Sequence, residues 1–358
     1  MLELQVWLMG ARIALVAPFW RLIVFLFWGS RDMAKALITG VSGFIGSHVA
    51  DTLLARGYEV IGYDNMSTGI ERFLDSARES ASFSFVLGDI LDFPLISSVM
   101  KDVDVVYHMA ANADIRGGTL DTRVDLDQNT LGTYNVLEAM RLSSSARRIC
   151  FASSAAALGE PSEFPTPENL ATPYQTSLYG ASKMAGEGLI SAFANAFGVE
   201  SYCFRFVSLL GPRYPHGHVF DFVKKLRSDA SQLNILGDGS AEKSYLHIVD
   251  CLAALMLVVE DSRPAARKNH PFEVYNLGVS EYIRVADSAK LIAKSMGLEP
   301  TFRFGEGKRG WVGDNPFVFL DTAKIQDLGW EPRYGIKESI EETAIWLNQN
   351  DWIFEARL

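Results

Sequence analysis

Two regimes of hydrophobic patterning follow one another from the start of the chain. Residues 13–28, IALVAPFWRLIVFLFW, form an apolar run interrupted by Pro18 and Arg21. From Met33 to about residue 200, short apolar runs (Ala36–Thr39, residues 83–90, 103–112 and 147–152) alternate with stretches at helical spacing. Ile45, Val49, Leu53 and Leu54 are one such stretch, and residues 126–141, LDQNTLGTYNVLEAMR, are another, with Asn129 near its start. Apolar runs of this length fit fully buried strands, and their alternation with helices predicts an α/β fold built on a doubly wound parallel sheet. Ligands of such sheets lie beyond the carboxyl ends of the strands.

The leading apolar run reads differently. A bilayer crossing takes about 20 apolar residues, and this run is shorter and carries a charge. No small-residue cleavage site follows it, which argues against a signal peptide. Residues 1–32 are therefore expected to be an extension upstream of a domain beginning at Met33, with a monotopic membrane anchor as the alternative. Membrane contact is expected only through this segment, and a cytoplasmic location for the rest.

The first helical stretch is entered through glycines. In KALITGVSGFIGSHVADTLLARGYEVIGYDN, residues 35–65, Gly40, Gly43 and Gly46 recur every three residues between a strand and a helix, and a second strand ends at Asp64. A glycine triplet alone is weak evidence, but in this context it is the dinucleotide-binding fingerprint of a Rossmann-like sheet. The glycines let backbone N–H groups approach a pyrophosphate at the positive end of the helix. Asp64 would accept hydrogen bonds from a ribose diol and repel a 2′-phosphate, so NAD is expected over NADP. Asp89, ending the 83–90 strand, is placed for an adenine amino group, and the small residues after the 103–112 strand let the chain pass close to the cofactor. The expected cofactor-binding set is Gly40, Gly43, Phe44, Ile45, Gly46, Asp64, Asn65, Asp89, Ile90, Ala110, Ala111, Asn129, Tyr179 and Lys183.

Composition narrows the partners. The 358 residues are 48% hydrophobic with a formal net charge of −10, enough for a large core, and no Lys/Arg-rich stripe offers itself to nucleic acid. Cys150, Cys203 and Cys251 are too scattered for a disulfide frame or a zinc site, so no metal is expected.

In SLYGASKMAGE, residues 177–187, Tyr179 and Lys183 stand one helical turn apart. Tyr-x-x-x-Lys is common by chance. Here it follows the strand of RRICFASSAAALG, residues 147–159, whose loop serines Ser153 and Ser154 lie at a carboxyl end. A free tyrosine titrates near 10, and a neighbouring ammonium is expected to favour its phenolate.

With TGVSGFIG, HMAANADIR, SSAAALG, YGASK, LLGPR, LGDGSAEKSYLHIVD and RGWVGDNP on the page, the chain from about residue 35 to 350 resembles the extended short-chain dehydrogenases/reductases, in the branch of NAD-dependent sugar-nucleotide epimerases and dehydratases. The resemblance is nearest to UDP-glucose 4-epimerase-like proteins. It implies a smaller C-terminal α/β substrate-binding lobe drawn mainly from residues 208–358, after an NAD-binding region over 33–207. It also implies that Tyr179 transfers the proton, that Lys183 is its partner, and that Ser154 bonds the reacting sugar oxygen, with Ser153 the lesser candidate. Dehydratases of this family carry an Asp-Glu pair where this chain has Ala155 and Ala156, so elimination is not expected. C4 epimerisation of a UDP-hexose, in a homodimer, is the expectation. The alternatives are another nucleotide-sugar epimerase or dehydratase, a hydroxysteroid-type dehydrogenase, and a non-catalytic NAD-binding protein.

For the substrate, the resemblance points to Lys243 and Arg309 at the diphosphate, Asp314 at ribose hydroxyls, and Ser208 where the family usually has Asn. Leu158 replaces a usual Tyr, and Arg116 would face a substrate carboxylate or pair with a nearby aspartate. Val318, four places after Asp314, is the expected wall of the sugar pocket, small enough to admit an N-acetyl group.

Overall fold

The computed structural model describes residues 34–356 apart from 116, 172–173, 261–270 and 309–316. The apolar segment 1–32, Arg116, Arg309 and Asp314 lie outside the described residues. From Ala34 onward the chain forms one compact unit.

Seven strands make the central sheet: β1 (Lys35–Thr39), β2 (Glu59–Asp64), β3 (Phe83–Leu87), β4 (Val105–His108), β5 (Arg148–Ala152), β6 (Glu200–Phe206) and β7 (Phe272–Leu277). Their spatial order is β7-β6-β5-β4-β1-β2-β3 and every pairing is parallel. The order reverses between β1 and β4, where a crevice opens beyond the strand ends. Thr39 is in register with Tyr63 on one side and His108 on the other, so those ends lie level. The 83–90 strand is shorter than expected: it stops at Leu87, leaving Asp89 in the following loop.

Why the strands read as continuous apolar runs is visible in β1. Ala36 and Ile38 belong to one hydrophobic cluster and Leu37 to the other. Successive strand side chains point to opposite faces, and both faces here are covered. Helix α1 (Phe44–Ala55) packs Val49 and Leu53 on the first face, whereas α2 (Gly132–Leu142) and α3 (Leu178–Phe197) pack Val136, Leu137 and Ile190 on the second. The segment expected to be one helix over 126–141 is compound: a π-helical stretch, Asp125–Leu131, runs into α2.

Beyond β6 most of the strands are short and lie outside the central sheet. Two-stranded pairings join Ser208–Leu210 to Tyr245–His247, Glu242–Lys243 to Ile283–Arg284, and Gln232–Ile235 to Thr301–Phe304. The helix His218–Ser228 buries Val219, Phe220, Phe222, Val223 and Leu226, a stripe at three- and four-residue steps. The seventh strand of the sheet also comes from this half of the chain, as β7 pairs along β6 from Phe272–Ser201 to Leu277–Phe206. Among the described residues no helix is long and apolar enough to cross a membrane.

Candidate active site

The carboxyl ends of β1 to β6 collect the chemistry. After β1, Gly40 turns the chain at φ +71°, and a Cβ there would meet the Ala110 backbone nitrogen at 2.6 Å. Helix α1 starts at Phe44 with Gly43 as its cap, with neither a capping side-chain bond nor an acidic residue in its first turn. The N–H groups of Phe44, Ile45 and Gly46 therefore lack helical partners, and the positive helix end faces outward over Gly43. A Cβ at Gly43 would meet only Gly40 O, at 3.2 Å. That bare cradle of N–H groups fits a pyrophosphate.

Asp64 ties the glycine turn to the end of β2. It is buried, and its two oxygens accept from Ser42 N (2.9 Å) and Met66 N (2.8 Å). Burial pushes its pKa up, and those two backbone N–H bonds oppose the rise. The carboxylate thus holds the glycine turn as well as standing at the end of β2, and its remaining lone pairs can still receive ribose hydroxyls. Asp89 accepts from Asn65 Nδ2 (2.9 Å) and Leu91 N (2.9 Å), which ties the ends of β2 and β3 together. Ile90 is buried and fills the space over Gly132. Ala110 N donates to Thr39 Oγ1 (3.3 Å), which holds the start of the Ala110–Ala111 segment against β1. His108 is a member that sequence reasoning missed. It is buried between Thr39 Oγ1 (2.7 Å) and Thr133 Oγ1 (3.0 Å), and burial lowers its pKa to about 3.

Asn129 is turned inward. Its oxygen accepts from Asn112 N (2.7 Å) and its nitrogen donates to Ser182 Oγ (2.9 Å) and Asp125 Oδ1 (3.2 Å). It clamps the chain after β4 to α3.

Helix α3 presents the Tyr-x-x-x-Lys pair. Ser177 caps it by accepting from Gly180 N (3.0 Å), which places Tyr179 in the first turn beside the end of β5. Lys183 is buried and donates to Ala152 O (2.8 Å), with its Nζ 5.8 Å from the centre of the Tyr179 ring. The expected lowering of the tyrosine pKa does not occur in this arrangement. Burial pushes Tyr179 up to about 12, a hydrogen bond with Ser154 opposes the rise, and the charge of Asp125 adds to it. Burial also brings Lys183 down to about 8, while Asp125 and Glu187 support its charge. Desolvation outweighs the Ser154 bond at the half-buried Tyr179 and the nearby carboxylates at the buried Lys183, whose ammonium is directed at the Ala152 carbonyl.

The two loop serines separate cleanly. Ser153 is buried and donates to Glu187, which also receives Arg205 through Nε (2.9 Å) and Nη2 (2.6 Å). Ser154 instead meets the Tyr179 phenol, and its Oγ accepts from Ala156 N (3.1 Å) at the cap of a short turn, Ala155–Leu158. Glu187 lies one turn beyond Lys183, a spacing legible in the sequence. Arg205 Nη1 reaches Glu168 O (2.9 Å) and so pins the segment that follows the serine loop.

Of the remaining expected residues, Ser208 is in register with Tyr245, two places from Lys243, and Phe317 bridges to Glu242. Ser208 and Lys243 thus lie on separate two-stranded pairings joined through the 242–247 segment, and Val318 follows the bridging Phe317 outside any strand. Val318 packs against the main core, while Phe317 and Phe319 turn toward Tyr282 (ring centres 5.6 and 6.4 Å).

Comparison with known proteins agrees with this geometry. The model of the NAD dependent epimerase/dehydratase family matches residues 36–278. The UDP-glucose 4-epimerase of Mycolicibacterium smegmatis is 30% identical over 321 residues, covering 87% of this chain and 97% of that protein. The crystal structure of a UDP-galactose 4-epimerase superposes with a TM-score of 0.78 at 34% identity, over 89% of this chain and all of that one. The UDP-glucuronic acid 4-epimerase of Bacillus cereus, solved with UDP-glucuronic acid and NAD, gives 0.78 at 26% identity, over 88% and 99% of the two chains. With the glycine cradle, the buried Asp64 and the Tyr179–Lys183 pair gathered at the carboxyl ends of one sheet, the chain belongs to the NAD dependent epimerase/dehydratase family: it is an enzyme, and NAD is its cofactor.

Proposed function

We propose that the enzyme inverts C4 of UDP-linked hexoses. One observation carries the reading: Tyr179 and Ser154 converge beside Lys183 at the end of β5, and the loop continues with Ala155 and Ala156, which can move no proton. The chemistry that bound NAD would supply is reversible uptake of a hydride from C4, with no net consumption of the cofactor. Tyr179 accepts the proton of the 4-hydroxyl and returns it after the sugar has turned over. Ser154 orients that oxygen. Lys183 holds its charge beneath the phenol and is available to a ribose hydroxyl of the cofactor. Lys243, and Arg309 and Asp314 with it, would grip the diphosphate and ribose of the substrate, with Ser208 beside them. Elimination of water needs an acid and a base near C5 and C6, and the two alanines provide neither.

The functional unit is proposed to be a homodimer. Leu126, Leu131, Tyr134, Leu142 and Phe197 expose large apolar surface along the π-helical stretch, α2 and the end of α3, which favours a covered face there. The test of the activity is direct. Purified protein carrying its own NAD is expected to interconvert UDP-glucose and UDP-galactose with no cofactor added, followed by product NMR across UDP-, GDP-, CDP- and dTDP-sugars. A 4-keto-6-deoxy product, or no turnover of any nucleotide hexose, would sink the reading.

The same reading extends to N-acetylated sugars through Val318. An acetamido group needs room, and overpacking costs about 1–3 kcal/mol. Val318→Tyr is therefore expected to depress turnover of UDP-N-acetylhexosamine selectively, by roughly ten- to a hundredfold at that energy. Equal loss for both sugars, or none for either, would remove Val318 from the wall.

A further inference from the structure

Behind the Tyr179–Lys183 pair sits a carboxylate with one oxygen unaccounted for. Asp125 opens the π-helical stretch and is 1% exposed. Its Oδ1 accepts from Asn112 Nδ2 (2.9 Å) and Asn129 Nδ2 (3.2 Å). Its Oδ2 is buried with no hydrogen-bond partner among the described residues, pressed against Gly118, where a Cβ would come within 2.2 Å of it. From Asn129 the connection continues to Ser182 Oγ (2.9 Å), and Ser182 Oγ donates to the Tyr179 carbonyl (2.8 Å). A buried, half-satisfied carboxylate is costly, and such groups concentrate where charge has a task.

We propose that Asp125 is a positioning residue whose negative charge sets the protonation balance of the Tyr179–Lys183 pair. The inference rests on reading Tyr179 as the proton-transferring group. The groups that face the pair leave Asp125 as the uncompensated charge. Tyr179 meets Ser154, which is neutral, and Asp125. Lys183 meets Asp125 from the π-helical stretch, Glu187 from its own helix and Cys203 from β6, and its charge bears on His108 from β4. Glu187 is neutralised by Arg205. Burial raises the Cys203 thiol well above its usual range, and His108 stays neutral because burial lowers it to about 3. Asp125 itself is pushed up by burial, and the Asn112 amide and the Lys183 charge favour its ionised form, against the neighbouring Asp114. An anion here stabilises the ammonium of Lys183 and disfavours the phenolate of Tyr179. Removing it lowers the titration of both.

The experiment is Asp125→Asn, which keeps the shape and an acceptor for Asn112. Asp125→Ser, which needs no fit against Gly118, serves if the first variant does not fold. Protein labelled with 13C at the lysine ε-carbon, with the Lys183 signal assigned by Lys183→Met, is titrated with NAD bound. The Lys183 midpoint is expected to fall by about one pH unit, the lower end of the shift that a neighbouring opposite charge produces. With a UDP-hexose, both limbs of the kcat/KM profile should move to lower pH by a similar amount, whereas a purely structural role would lower the profile without moving it. An unmoved Lys183 midpoint overturns the proposal. A lowered midpoint with no UDP-hexose turned over counts against the epimerase reading and leaves the charge assignment supported.

Discussion

Tyr179→Phe is expected to abolish turnover and leave NAD in place. The substitution removes one oxygen from a half-buried ring and leaves the rest of the side chain in place, and the glycine cradle lies on other elements. The hydroxyl is the only group lost, and with it the proton acceptor. A positioned acid or base contributes typically about 10²- to 10⁴-fold, so the variant should keep less than about a hundredth of the rate. The pH dependence separates this from a packing defect. Tyr179 sits near 12 in the structure, so its base form is scarce at neutral pH and grows as pH rises. The wild-type rate should therefore climb from acid toward neutral pH and bend where Lys183, at about 8, loses its proton. Residual turnover in the variant should lack that climb. Absorbance of bound NAD, sugar-nucleotide turnover and the pH profile check the three parts. A variant that retains more than about a hundredth of the activity would show that the proton goes elsewhere.

What the sequence made legible follows from how local each signal is. The β1–turn–α1–β2 unit was readable because its glycines, its apolar strand and Asp64 lie within about 30 residues, and each has a single physical reason for its place. The Tyr179–Lys183 pair was readable as helical spacing. Its electrostatics were not, since four-residue spacing says that two side chains share a face and nothing about how far both are desolvated. The tyrosine pKa moved opposite to expectation for that reason. Non-local pairings were equally hidden. β7 joins β6 across some 70 residues, Ser153 meets Glu187 across 34 positions, and Asp125 reaches the pair only through the fold. The π-helical stretch was invisible too, because one extra residue per turn barely disturbs an apolar pattern read over 16 positions. The preference for Ser154 over Ser153, by contrast, is what the family resemblance implies, and in the structure Ser153 is held by Glu187.

Gly46→Ala sets two effects of known size against each other. Gly46 lies in the first turn of α1, where alanine is the better helix former by about 1 kcal/mol. Propensity alone therefore predicts a more stable protein. The space around the residue says the reverse. A Cβ at Gly46 would come within 2.1 Å of Gly40 O, 2.8 Å of Gly40 C and 2.9 Å of Val41 Cα. All three are backbone atoms of the turn that leaves β1, so no side chain can swing aside. The start of α1 must lift from the sheet, and it carries with it the N–H groups of Phe44 and Ile45 that form the phosphate cradle. Overpacking costs about 1–3 kcal/mol when side chains can adjust, and here the backbone must move, so the steric cost exceeds the propensity gain. The expected result is a folded protein with a lower melting temperature and with most of its bound NAD lost, because the cradle depends on the helix end more than the core does. Thermal denaturation with and without added NAD measures the first, and absorbance of the purified protein the second. A variant that melts at or above the wild-type temperature with full cofactor would mean that α1 can shift freely against β1, and that the close approach of Gly46 to Gly40 is not what fixes the dinucleotide site.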